Sequence, residues 1–387
     1  MEQVTVSRFR NTRKHWHFLL YIIYFCKQGT DNVEQTHKDP PFINIGIGMK
    51  KSRIQIFFLN TIWFSFFLMV SFVLRHNNNY GVDTLTYQEY FDSITGIEDV
   101  FNYRDVGFYL MMFIFKPFGF NFFLKFVVLA GLLMLFYSYK IALHDKSPWV
   151  TAITFLIFST TSTFIFNEVN IIRQGLASYL LLAGVVCCLR KFSIAGYSLL
   201  LSSVLMHKYA LILIICFICS KFVTTRQTKL YFLPALTASL IVGIFISGKF
   251  WSYVTVTFDF NTISQTLEAY TGSKTGQDNL QLKLFILVIC MIFFYFVIFC
   301  PGPDGIFTDI IKFLLVSSLF IISLYGIDVS FNRYILYINP FIPLSLILSL
   351  IQLKVLNKFI TIVLFCAIIY GLYVYTHPSI LIQFEIL

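Results

Sequence analysis

The sequence predicts an all-α polytopic integral membrane protein of about 10–12 membrane helices, and three observations carry that reading. The 387 residues are 57% hydrophobic and 19% aromatic but only 12% charged, against roughly 25% charged in soluble domains. Apolar runs of about 18–20 residues recur along nearly the whole chain, each able to cross a hydrocarbon core of roughly 30 Å as a helix. The runs are continuous rather than alternating, which argues against a strand-period barrel. In a soluble protein the formal charge of +10 would suggest nucleic acid. In a membrane chain it is read first as topology, and no nucleic-acid partner is expected.

Taken in order, residues 1–48 form an N-terminal extension that fits poorly. Its apolar stretch "HWHFLLYIIYFC" at 15–26 is short for a span. It reads as a degenerate first helix, as an interfacial helix, or as sequence ahead of a start at Met49. Residues 49–387 form a single transmembrane domain. Spans are expected near 54–74, 121–139, 148–166, 171–189, 230–247, 283–300, 306–325, 334–352 and 358–376. Segment 106–120, interrupted by Lys116-Pro117, is short for a crossing and is expected to be re-entrant or interfacial. The apolar stretch 192–220 has basic flanks at both ends: Arg190-Lys191 on one side, Lys221, Arg226 and Lys229 on the other. It should enter and return as a hairpin with His207-Lys208 at its outer tip.

With "MKKSR" at 49–53 placed inside, Lys and Arg lean modestly toward the cytoplasmic segments, while the outer loops 75–105 and 248–282 carry charges of both signs. The eight cysteines avoid the middle of those loops, so no disulfide framework is implied. Cys216 and Cys219 form a C-x-x-C without His or Cys partners at zinc spacing, and packing is the simplest reading. There is no Walker loop, no dinucleotide fingerprint and no H-E-x-x-H. No metal site and no cofactor are expected.

Candidate chemistry gathers on the outer side. Four of the six arginines after residue 60 fall there: Arg75, Arg104, Arg173 and Arg333. Arginine grips phosphate or carboxylate through a planar fork, so such a group suits an anionic head group. The plainer reading is snorkelling, or ion pairing with Glu168, Asp105 and Asp328. Arg173 is the most demanding of the four. It lies inside an apolar run, where an arginine costs roughly 2.5–3.5 kcal/mol unless it is near the interface or partnered. On a helix, Asn170, Arg173, Gln174 and Ala177 share one face, which makes a polar wall beside a cavity, with Asn170 near the helix's amino end. Glu168 is near enough in sequence to pair with the guanidinium.

In "RHNNNYGVDTLTYQEYF" at 75–91, Asn77 to Gly81 is turn chemistry leading into a short helix that bears Tyr87, Tyr90 and Phe91. Asp83 is open to three readings: helix cap, partner for Arg75, or general base. Aromatics beside amides and carboxylates suit a sugar surface, though interfacial tyrosine belts look alike. His207 can act as acid or base near neutral pH, and Lys208 beside it adds a charge for phosphate.

These pieces, in this order, resemble the EpsG-like and Wzy-type bacterial polysaccharide polymerases. The matching segments are "RHNNNYGVDTLTYQEYF", "NIIRQGLASYLLL", "LLSSVLMHKYALILI" and "FNRYILYINPF", which together cover most of the chain from about 54 to 350. Where the family tends to show Glu-Pro-Gly-aromatic, this chain has Asp105-Val106-Gly107-Phe108 with a shorter carboxylate. The resemblance implies a GT-C-like helical bundle in the bacterial inner membrane, acting in O-antigen, capsule or exopolysaccharide synthesis with its active face outward. It implies a glycosyltransferase that joins repeat units from an undecaprenyl-diphosphate-linked oligosaccharide donor to a similarly linked acceptor. Membrane lipid, a chain-length regulator and a flippase are the implied partners. On this reading Arg75, Arg173 and Arg333 hold the diphosphate with Asn170, Gln174, Tyr87 and Lys208 in support. The acid–base candidates are His207, Asp83 and Glu168. A lipid-linked oligosaccharide flippase and an O-antigen ligase are the rival readings. The flippase should carry its cations near the midplane of repeated halves, which this sequence does not display.

Overall fold

The structure, a computed structural model, describes residues 82–103, 105–144, 146, 148–159, 161, 164, 167–168, 171–245, 277–299, 305–325 and 328–353. The expected spans at 54–74 and 358–376, the 1–48 extension, Arg75, Arg104, Asn170 and most of loop 248–282 lie outside the described residues. Among the described residues every regular element is helical.

The chain runs through α1 (Val82–Ser93), α2 (Ile97–Phe101), α3 (Val106–Phe115) with a 3-10 turn at Lys116–Phe118, then α4 (Phe120–Ala142) and α5 (Pro148–Ser159). It continues through α6 (Ile172–Leu189), α7 (Ser193–Met206), α8 (Ala210–Phe222), α9 (Thr225–Phe245) and α10 (Gln277–Val297). It ends with α11 (Gly305–Ser323), α12 (Asp328–Ile338) and α13 (Phe341–Gln352). Helices α4, α6, α9 and α11 are each long and apolar enough to cross a membrane, and the bent pair α12–α13 makes a fifth span if taken together.

Helix α6 is the axis of the bundle. It is buried almost all round, packing on α4, α7, α8 and α12. Small residues make the α6–α7 approach possible: a Cβ added at Gly184 would meet Leu200 at 2.8 Å, and one at Gly196 would meet Cys188 and the Gly184 carbonyl. Close backbone approach through small residues is how membrane helices associate when apolar burial supplies no preference over lipid. Helices α7 and α8 form the expected hairpin, with His207 and Lys208 in the connection between them.

Two expected spans are interrupted, each for a local reason. In the run 148–166 helix α5 ends at Ser159, and just beyond it a hydroxyl side chain competes for the backbone. Thr161 Oγ1 donates to the Phe158 carbonyl at 2.6 Å and accepts from the Phe164 N–H at 3.2 Å. The run 334–352 is two helices inclined by 46°, broken at Asn339-Pro340. Pro340 has no N–H to continue the ladder, and its carbonyl instead accepts from the buried Tyr139 hydroxyl at 2.7 Å.

Segment 82–118 folds as a cap over the first halves of α4 and α6. Its core is Tyr87, Phe91, Ile94, Val100, Phe108, Tyr109 and Met112, packed on Phe123, Val127, Ile172 and Leu176. Lys116, in the short segment expected to be re-entrant or interfacial, ties that segment to the end of α1. Its ammonium donates to the carbonyls of Phe91 at 2.7 Å and Asp92 at 2.9 Å, and also to that of Ile94. A cation there complements the negative end of the helix. Cys216 and Cys219, in α8, are free thiols.

Candidate functional site

The two ends of the bundle differ in chemistry. At the end formed by the C-termini of α4, α6 and α8, Arg190 is tied to backbone carbonyls and two lysines share one carboxylate. Arg190 donates from Nε to the Ile141 carbonyl at 3.1 Å and from Nη2 to the Ala142 carbonyl at 3.0 Å. Asp309 takes Lys221 at 3.2 Å and Lys312 at 2.8 Å.

The opposite end is where the candidate residues meet. Arg173 stands in the first turn of α6. Its Nη1 lies 3.0 Å from Asp105 Oδ2 and donates to the Tyr109 hydroxyl at 3.2 Å. Its Nε is buried and has no hydrogen-bond partner among the described residues. Asp105 is itself buried, and its second oxygen, Oδ1, accepts the Lys208 backbone N–H at 3.0 Å. One carboxylate therefore joins the start of α3, the start of α6 and the tip of the α7–α8 hairpin. Gly107 allows this. A Cβ there would come within 2.8 Å of the Leu205 side chain and 3.0 Å of its backbone, so a larger residue would push Asp105 away from the tip.

His207 is buried at 5% exposure, and its Nδ1 shares a 2.8 Å hydrogen bond with the Tyr337 hydroxyl. Burial, followed by the charges of Arg173, Arg333 and Lys208, pushes its pKa down to about 3, so the ring is neutral at physiological pH. Asp83, in the first turn of α1, is held above the usual carboxylate range by burial, which outweighs the opposing pull of Arg173 and Arg333. The tip is also lined by Tyr209. The Arg333 guanidinium lies 5.3 Å from the centre of that ring and the Lys208 ammonium 5.6 Å from it. Gln174 donates from Nε2 to the Arg333 carbonyl at 2.6 Å, fastening α6 to α12 beside the arginine. Tyr87 packs on Phe108 with ring centres 5.5 Å apart, on the same side of the cap as Arg173.

The structure thus brings together Arg173, Arg333, Lys208, His207, Asp83, Gln174 and Tyr87 from the expected set. Glu168 is placed differently. It is buried beside Gly131 of α4 and the Tyr179 ring of α6, and Asp105 is the carboxylate that pairs with Arg173. Of the aromatics on α1, Phe91 turns into the cap core against Phe120 and Phe123. Tyr90 joins Tyr103 and Tyr109, whose rings stack at 4.0 Å beside Arg173.

Sequence reasoning did not single out Tyr109, Tyr209 or Tyr337. Tyr337 was within reach, since it lies four residues after Arg333 and shares its helix face. The remainder needed the tertiary fold. Among the described residues no three of His, Cys, Asp and Glu gather as a metal site.

The arrangement is a cluster of cationic side chains beside aromatic rings, set at one end of a multi-pass membrane bundle. No curated protein and no solved structure matches the chain. The model of the EpsG family matches residues 60–383, so the chain belongs to the EpsG family, a family of membrane proteins in polysaccharide biosynthesis.

Proposed function

We propose that this protein is a polysaccharide polymerase of the bacterial inner membrane, working at the outer face. It would join oligosaccharide repeat units carried on undecaprenyl diphosphate. Family membership supports polysaccharide biosynthesis. The observation that carries the finer reading is the convergence of Arg173, Arg333 and Lys208 around His207 and Asp83. Two described carboxylates, Asp105 and Asp83, face three cations, which leaves positive charge for an anion.

In the proposed step an acceptor hydroxyl oxygen bonds to the anomeric carbon of the donor sugar, and the bond from that carbon to the diphosphate oxygen breaks. Negative charge grows on the departing undecaprenyl diphosphate. Guanidinium groups already fixed in place lower that barrier, because they need no reorganisation as charge develops. The acceptor proton goes to Asp83, whose raised proton affinity suits a base better than His207, held neutral with a pKa of about 3. His207 positions the hairpin tip through Tyr337. The half-buried Tyr90 and Tyr103 offer ring surface for a sugar beside Arg173. No part in the transfer is given to Glu168.

A gel of surface polysaccharide tests this. Cells lacking the gene should show a single-repeat band in place of the ladder. The intact gene should restore the ladder, and Arg173→Ala expressed at equal level should not. Loss of all surface sugar would favour a flippase or ligase, and an unchanged ladder would reject every one of these roles.

A further inference from the structure

Arg333 and Lys208 are held differently from Arg173. Arg173 has the Asp105 carboxylate at 3.0 Å, which fixes it and offsets its charge. Among the described residues neither Arg333 nor Lys208 has a carboxylate at ion-pair distance. What the two share is the ring of Tyr209, whose centre lies 5.3 Å from the guanidinium and 5.6 Å from the ammonium. The fold gives that ring a fixed place. Tyr209 immediately precedes α8, in a tight tip where the Ala210 N–H donates to the His207 carbonyl and the Leu211 N–H to that of Lys208, each at 3.1 Å. Its ring meets the buried Tyr334 edge-on with centres 5.7 Å apart, and Tyr334 in turn meets Phe320 of α11 edge-on at 5.3 Å. Arg333 directly precedes Tyr334 on α12, and its carbonyl is fastened to α6 by Gln174. The hairpin therefore supplies Lys208 and the ring, while α12 supplies the second cation and the side chain that seats the ring.

We infer that Tyr209 is a positioning residue, whose ring holds Arg333 and Lys208 at the hairpin tip without neutralising them, so that both charges stand ready for the diphosphate of a lipid-linked ligand. This rests on the polymerase reading for the identity of the ligand. A carboxylate in the same place would order the two cations and cancel them. A ring face attracts a cation through its quadrupole and adds no net charge. The two like charges held at one ring also repel each other, and an arriving anion relieves that repulsion. Side chains ordered before the ligand arrives lose less freedom on binding, so removing the ring should weaken affinity.

The test uses the full chain in lipid nanodiscs. Undecaprenyl diphosphate is titrated against wild type, Tyr209→Leu, Tyr209→Phe, Arg333→Ala and Tyr209→Leu combined with Arg333→Ala, each scaled to its folded fraction by a melting curve. Tyr209→Met serves as a second ring-free variant. Tyr209→Leu should bind about fivefold more weakly, and Tyr209→Phe, which keeps the ring face, should recover most of that loss. Once Arg333 is gone, the same Tyr209→Leu change should cost no more than about twofold, because the ring acts through the cation. An equal loss in both backgrounds would mean that Tyr209 acts through packing alone. That result, or wild-type affinity in Tyr209→Leu while Arg333→Ala binds weakly, overturns the role of Tyr209 and leaves the polymerase reading standing. If wild type itself does not bind the diphosphate, the polymerase reading falls and this inference falls with it.

Discussion

Helix α6 carries an arginine at each end, and the two are used in opposite ways. Arg190 caps the C-terminal end, where its cation complements the negative pole of the helix and its donors are taken by the last carbonyls of α4. Arg173 sits in the first turn, at the positive pole, where a cation works against the helix. It persists there because Asp105 and Tyr109 hold one nitrogen, and it still keeps a buried Nε without a partner among the described residues. Arg190 is accounted for by the stability of the fold. Arg173 costs stability as it stands, and an anionic ligand would remove that cost. The difference separates an arginine held by neighbouring carbonyls from one whose Nε has no partner among the described residues.

The largest effect expected from breaking this contrast is on turnover. Arg173→Ala should lower polymer formation by at least about 100-fold, on the scale of losing a fixed donor to a developing oxyanion. Arg190→Ala should leave turnover per folded molecule near wild type while lowering thermal stability by about 1–3 kcal/mol. Polymer yield and a melting curve on the same samples separate the two.

Asp105→Ala comes next. It strips Arg173 of its counter-charge and the Lys208 N–H of its acceptor, so stability should fall by up to about 3 kcal/mol, with activity reduced at the same time. Asp105→Glu keeps the charge and should retain more of both. Gly107→Ala should act through the same contact, since the added methyl meets the Leu205 backbone. A loss of about 1–3 kcal/mol by thermal unfolding is expected.

The dependence on pH sharpens the account of the base. Asp83 accepts a proton only when ionised, and its proton affinity is raised in the fold. Activity should therefore fall as pH drops through a value above the ordinary carboxylate range, and Asp83→Asn should remove that acid limb together with most of kcat. The smallest effect is expected from Tyr337→Phe. It removes one hydrogen bond to His207, and kcat should drop by no more than about tenfold.

How much of this was legible in the sequence varies with the range of the interaction. The α7–α8 hairpin with His207-Lys208 at its tip follows from apolar length and basic flanks, and the structure has it. So does the short helix after Asn77 to Gly81. The breaks at Ser159 and Pro340 were less visible, because hydropathy counts apolar residues and does not register a threonine that bonds its own backbone or a proline that omits an N–H. Arg173 stood out on cost alone, but its partner did not. Glu168 is five residues away and Asp105 sixty-eight, and only the packing of Gly107 against Leu205 brings the distant carboxylate in.

The central claim is that the Arg173 end binds a diphosphate and the Arg190 end does not. Binding of undecaprenyl diphosphate to the intact protein in lipid nanodiscs, measured for wild type, Arg173→Ala and Arg190→Ala, tests it most directly. The account predicts affinity at least about tenfold weaker for Arg173→Ala and unchanged for Arg190→Ala. Equal affinity in all three, with each protein folded, would contradict it.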